Sequence, residues 1–150
     1  MAVRSSISVR QKDGTIKNIY CHWDGYILGG VGEKLLKFYN TEELANKLVD
    51  LGGISELGET LEIGEYSETE ENPKTTKIFS KGESPCEVWS NLEQARWHNG
   101  QEYNYLWEGG EWSVRQYEWN GKVKENSVKD FCEWTPLLKA FEICEKSEKV

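Results

Sequence analysis

One stretch constrains the rest of the chain more than any other: Ile19-Tyr20-Cys21-His22-Trp23-Asp24-Gly25-Tyr26-Ile27-Leu28-Gly29-Gly30-Val31-Gly32. It opens with the β-branched and aromatic residues of a strand. It closes in a glycine-rich turn, ahead of Leu35, Leu36, Phe38 and Tyr39 at helical spacing. A strand must therefore give way to a helix inside some ten residues. Such a junction is either a seat for an anion, a sugar or a base, or a tightly packed corner.

The flanking sequence fits an α+β domain spanning residues 1–150. Upstream, Asp13-Gly14 marks a β-hairpin over residues 3–23, because Gly readily takes the positive φ of a type I′ turn. A two-residue loop pairs Lys12 with Thr15, Ile7 with Tyr20 and Arg4 with Trp23. One face then holds Ile7, Val9, Ile16, Tyr20 and His22, and the other holds Arg4, Ile19, Cys21 and Trp23. Downstream, a first helix is expected from about Gly32 to Tyr39. A second covers about 41–51, with Asn40 as N-cap, Glu43 completing a capping box, and Leu44, Ala45, Leu48 and Leu51 inward. Gly52-Gly53 ends it. A short strand near Leu61–Ile63, an exposed loop over 67–76, a strand within 77–89 and a helix over 90–98 follow. Gly109-Gly110 and Asn120-Gly121 then divide 102–126 into a Trp-rich antiparallel β-meander. In it Trp107 faces Trp112 and Tyr105 faces Val114, while Leu106, Arg115, Tyr117 and Trp119 take the opposite face. A C-terminal helix over about 136–145 carries Leu137, Leu138, Phe141 and Cys144 on one face.

At 150 residues the chain buries a core without staples. Its 12% aromatics, seven Trp among them, are too many for a disordered chain. No apolar run approaches the roughly 18–20 residues that span a bilayer. Cys21, Cys86, Cys132 and Cys144 are scattered without a Cys-x-x-Cys, as in the reduced thiols of a cytoplasmic protein. Of the net charge of −8, seven units come from Glu56, Glu59, Glu62, Glu65, Glu68, Glu70 and Glu71, in a segment over 55–71 that lacks Lys and Arg. General nucleic-acid binding is disfavoured, since neutralising phosphates takes clustered cations.

Several residue sets carry chemistry, each with a plainer reading beside it. Cys21 and His22 are adjacent on a strand and point to opposite faces, so they do not form a nucleophile–base pair. His22 and Asp24 would share a face if the strand continued, either as a hydrolytic pair or as a histidine oriented by a carboxylate. With His98 the only other histidine, no metal cluster is implied. Gly29, Gly30 and Gly32 before a helix offer free N–H groups for a phosphate, assisted by Lys34, or serve a tight connection. Arg4 opposite Trp23 is a cation–π pair or a recognition surface. Tyr26 extends that surface, and Arg115 beside Tyr117 repeats the pairing in the meander. The carboxylates of Glu56, Glu59, Glu62, Glu65 and Glu68 imitate a phosphate backbone or keep the chain in solution.

Arg4-Ser5, the string Ile19-Tyr20-Cys21-His22-Trp23-Asp24-Gly25-Tyr26, Val31-Gly32, Leu35-Leu36, Tyr39, Leu51-Gly52 and Ile54-Ser55-Glu56-Leu57 resemble a family of small, mostly uncharacterised phage and prophage proteins. The resemblance covers about the first third of the chain. Where that family commonly has Pro after the last Tyr of the string, this chain has Ile27. The family brings no catalytic residues to carry over. The resemblance implies an accessory protein of the host cytoplasm that counters host defence. The expectation is a non-enzymatic binder that sequesters a nucleotide-like signal at Arg4, His22, Trp23, Asp24, Tyr26, Gly29, Gly30, Gly32, Lys34, Arg115 and Tyr117. The alternatives are an acidic inhibitor of a host defence protein and a small hydrolase using His22 and Asp24. No cofactor is implied, and a homo-oligomer is left open.

Overall fold

The computed structural model describes residues 3–64, 74–78, 86–90, 101–116 and 134–148, apart from the side chains of residues 101, 102, 147 and 148. Within these lie nine strands and three helices in α+β arrangement. They are β1 (Arg4–Arg10), β2 (Ile16–Cys21), α1 (Val31–Phe38), α2 (Glu42–Val49), β3 (Ile54–Glu56), β4 (Ile63–Gly64), β5 (Thr76–Ile78), β6 (Glu87–Trp89), β7 (Gln101–Glu108), β8 (Glu111–Gln116), β9 (Thr135–Pro136) and α3 (Leu137–Glu148). All nine strands join one sheet in the order β4-β5-β3-β2-β1-β7-β8-β9, with β6 pairing separately with β2.

The sheet is mixed rather than antiparallel. β1 runs parallel to β7, with Ile7 level with Tyr105 and Val9 level with Trp107. β2 is parallel to β3, and β4 to β5. The β1–β7 pairing joins the N-terminal hairpin to the Trp-rich hairpin and makes β1 an inner strand. Ser5 through Val9 are accordingly buried without interruption. A strand covered on both faces loses the in–out alternation of a half-exposed one. Its helix-side positions are Ile7 and Val9. Its far-side positions are Ser6 and Ser8, whose hydroxyls are satisfied across the sheet: Ser6 Oγ donates to Asn104 Oδ1 at 2.7 Å, and Asn18 Nδ2 donates to Ser8 Oγ at 2.7 Å. Buried polar groups satisfied in this way avoid their desolvation penalty.

The N-terminal hairpin differs by one residue from the expected register. Ser5 pairs with Cys21, Ile7 with Ile19 and Arg10 with Ile16. The loop has three residues, Lys12-Asp13-Gly14. Gly14 N–H donates to Gln11 O at 3.0 Å, Gln11 N–H donates to Thr15 O at 2.8 Å, and Gly14 has φ +91°. This is a type I turn followed by a left-handed glycine, which Asp-Gly serves as well as a type I′ turn. Asp13 holds it by accepting from both N–H and hydroxyl of Thr15, and those bonds draw the Asp13 carboxyl below its ordinary range. A one-residue slip exchanges faces. Ile7, Val9, Ile19 and Cys21 therefore share the core side, and Ile16 packs on the other with Trp89 and Leu106. The ladder ends at Ser5 and Cys21, and its register does not pair Arg4 with Trp23.

The second hairpin matches its expected register. Trp107 pairs with Trp112 and Tyr105 with Val114 across Gly109-Gly110, whose φ values are +64° and +84°. The meander's expected third strand, with Tyr117, Trp119 and the Asn120-Gly121 turn, lies outside the described residues, as does the helix expected after Ser90. β9 borders β8.

The helices supply Val31, Leu35, Ala45, Leu48, Val49, Leu137 and Ala140 to one core with Tyr105, Trp107, Trp112 and Val114. The N-cap of α2 is Thr41, not Asn40: its Oγ1 accepts from Leu44 N–H at 3.1 Å. Leu138 is exposed rather than inward; Ala140 takes the inner position between Leu137 and Phe141. Within the loop expected over 67–76, Thr75 and Thr76 are buried, because Thr76 begins β5 and its hydroxyl bridges Gly58 N–H and Thr60 O. No helix among the described residues is long and apolar enough to cross a membrane.

Candidate functional site

Beyond Cys21 the strand ends, and the next two residues stay bonded to β3 as the chain bends at Trp23. His22 N–H donates to Ile54 O and Trp23 N–H to Ser55 O. Asp24, which follows, is the one non-glycine residue with positive φ, +57°, among the described residues, a conformation Asp tolerates better than most residues. Asp24 is thereby turned off the strand, and the His22–Asp24 pair expected from a continued strand does not form. The hydroxyl of Tyr20, two residues back on the same face, bonds His22 Nδ1 at 2.7 Å. The edge of one of the His22 and Trp23 rings meets the face of the other at 4.7 Å between centroids.

The glycine turn closes on itself. Val31 N–H donates to Asp24 O at 2.8 Å and Gly32 N–H to Tyr26 O at 3.0 Å. These are two of the N–H groups a helix start leaves without intrahelical partners. Both are occupied by the loop's own carbonyls, and an anion does not reach them in this conformation. Gly30 and Gly32 are buried: a Cβ on Gly30 would meet the carbonyl oxygens of Asp24 and Tyr26, and one on Gly32 would meet Ile27. Lys34 is also engaged, with Nζ donating to Leu57 O at 2.7 Å. The glycines here are explained by loop closure.

What remains at the surface is a corner of side chains. Trp23 is 40% exposed and Tyr26 44%. Arg4 is exposed and has no ion-pair partner among the described residues. Alternation along β1 and the register place Arg4, Tyr20 and His22 on one sheet face. Arg115, level with Asn104 on β8, lies on that face two strands from β1, about 10 Å away at ordinary strand spacing. Burial raises the Tyr20 hydroxyl pKa, and nearby Arg4 opposes the rise. Tyr117 falls outside the described residues.

The acidic segment is less uniform than its composition. Glu56 faces the buried Lys77, Oε2 to Nζ at 3.6 Å. Its charge is therefore partnered inside the fold and is not part of an open carboxylate row. Glu59 is half-buried and Glu62 exposed; Glu65 and Glu68 lie outside the described residues. Cys21, Cys86 and Cys144 are free thiols. Cys21 is fully buried, with its pKa pushed up to about 12 by that burial. Among the described residues no three His, Cys, Asp or Glu side chains gather as a metal site. At pH 8 the Cys21 thiolate is scarcer than that of an ordinary cysteine by roughly a thousandfold. Cys21 should stay unmodified when the native protein is treated with iodoacetamide, and react after denaturation. Peptide mass spectrometry checks this, and native alkylation of Cys21 would contradict the packing around it.

Two contributors had no local signal in sequence. Tyr105 donates its hydroxyl to Gly25 O at 2.6 Å and is fully buried, and Lys77 pairs with Glu56 from a different strand. Tyr20 did carry a signal, the i, i+2 spacing to His22 on one strand face. No family model, curated protein or solved structure matches the chain.

Proposed function

We propose that the protein is a non-catalytic binder, a phage-type accessory protein that counters host defence by sequestering a nucleotide-like molecule at the Arg4–His22–Trp23–Tyr26 corner. The observation that carries this reading is an exposed Arg4 with no carboxylate partner among the described residues, on a strand end whose backbone meets Gly25, between the exposed Trp23 and Tyr26. Rings of this kind stack a base, and a guanidinium pairs with a phosphate. The phosphate belongs with Arg4, the Tyr20 hydroxyl and His22, since the helix-start amides are occupied. The Cys21 thiol is buried and stays protonated, and Asp24 does not orient His22, so neither the cysteine nor a His22–Asp24 pair is set for turnover, which favours binding. The phage and defence terms rest on the N-terminal string alone.

Calorimetry against linear and cyclic nucleotides tests the reading. Arg4→Ala removes a charged hydrogen-bond donor, which costs roughly 1.5–3 kcal/mol, so affinity should fall about ten- to a hundredfold. The thermal midpoint should hardly move, because the side chain is exposed. Absence of heat with every nucleotide, at protein concentrations well above micromolar, would exclude the reading.

A further inference from the structure

A groove lies at the opposite end of β1, about 20 Å from Arg4 by strand rise. It consists of two adjoining concavities of about 350 and 270 Å³ that share Gln11, Lys12 and Glu42. Its walls are the three-residue turn of the first hairpin, the Gly109-Gly110 turn of the second with Trp107, and the first turn of α2.

Most polar groups lining it are already engaged. Arg10 donates from Nη1 to Gly14 O at 2.9 Å and pairs through Nε with Glu108 at 3.4 Å. Asp13 is held by Thr15. Asn46 donates to Glu42 O and accepts, at 2.9 Å, from Gln11 Nε2, which also donates to Val9 O. That relay occupies both amide hydrogens of Gln11 and fixes the amide's orientation, leaving Oε1 as an acceptor. Lys12 and Glu42 complete the lining. They carry opposite charges, and neither pairs with the other or with any described residue.

We propose that this groove binds a small zwitterion of the α-amino-acid type. Its ammonium would meet the Glu42 carboxylate and Gln11 Oε1, and its carboxylate the Lys12 ammonium. The side chain would lie toward Trp107 and the glycine turn. Asp13, Glu42 and Glu108 outnumber Arg10 and Lys12 in the lining, so the groove disfavours the polyanion proposed for the Arg4 corner. The two sites are independent and fail independently.

The test is titration calorimetry of the full chain with free glycine, glutamine, lysine, glutamate and tryptophan, and with the corresponding N-acetyl amides, which lack the α-ammonium and α-carboxylate charges. At least one free amino acid should bind with a dissociation constant near or below ~1 mM, and its N-acetyl amide should not. Lys12→Met and Glu42→Gln, both exposed positions, should each weaken binding about tenfold or more, while Arg4→Ala leaves it unchanged. Lack of binding by every free amino acid up to ~10 mM overturns the proposal. So does equal binding of the N-acetyl amides, or affinity kept within twofold in both groove variants.

Discussion

Gly30→Ala is expected to lower the thermal midpoint by about 4–24 °C. Its new Cβ has no room beside the carbonyl oxygens of Asp24 and Tyr26, so the loop must move off the start of α1. That movement breaks the Val31 and Gly32 N–H bonds to those carbonyls and leaves buried polar groups without partners. Each such loss costs roughly 1–3 kcal/mol, about 2–6 kcal/mol together, and a domain of this size loses about 2–4 °C per kcal/mol. Gly29→Ala is the control. Gly29 has φ +77° but nothing within 4 Å of an added Cβ, so only left-handed strain of about 1–2 kcal/mol applies. If Gly30 served instead to let a phosphate approach the backbone, Gly30→Ala would fold normally and lose only affinity. Equal midpoints for wild type and Gly30→Ala would therefore reverse the account of this loop.

Trp112→Ala is expected to destabilise by about 3–5 kcal/mol, as truncation of a fully buried Trp does. Trp112 is 1% exposed and packs edge-to-face with Trp107 at 5.5 Å between ring centroids. Its Nε1–H donates to Tyr39 O at 2.9 Å, tying β8 to the end of α1. Tyr39 in turn donates its hydroxyl to Gly58 O, so the Trp anchors a chain of contacts reaching the segment after β3. Trp112→Phe keeps much of the volume but leaves the Tyr39 carbonyl without its donor, which should cost about 1–3 kcal/mol. Chemical denaturation of both variants separates packing from the hydrogen bond. A loss under about 1 kcal/mol for Trp112→Ala would mean that the ring is not part of the cooperative core.

These effects trace to features of unequal legibility in sequence. The Gly109-Gly110 hairpin was readable to the residue, because a two-residue turn with paired glycines leaves one register. Asp13-Gly14 was readable as a turn but not as a register, since the same dipeptide closes a three-residue loop once Lys12 joins it. Helices α1 and α2 showed in their apolar spacing. The choice of Thr41 over Asn40 as cap did not, because the two are adjacent and both able to cap. The parallel β1–β7 pairing left no local trace: hydrophobic alternation tells which face a strand buries, not which strand lies beside it. The candidate site divides the same way. Aromatic content marked the Trp23–Tyr26 corner, whereas the carbonyls that close the glycine turn depend on the fold around Asp24. The Lys77 partner of Glu56 was likewise invisible, and an acidic run read as one surface proved to have a partnered carboxylate within it.

The parallel seam between β1 and β7 also sets a waiting time. Ile7 and Tyr105 are side by side in the sheet yet separated by nearly a hundred positions along the chain. During synthesis at roughly 5–20 residues per second, β7 emerges on the order of 4–20 s after β2. The first hairpin spends that interval with one edge of its future central strand open. Few contacts can form early to offset the loop-closure entropy of so distant a pairing, which is the condition for slow folding. Until the seam forms, that open edge presents Ile7 and Val9 in extended conformation, and the newborn chain is at its most exposed to wrong partners at the strand that later lies at its centre.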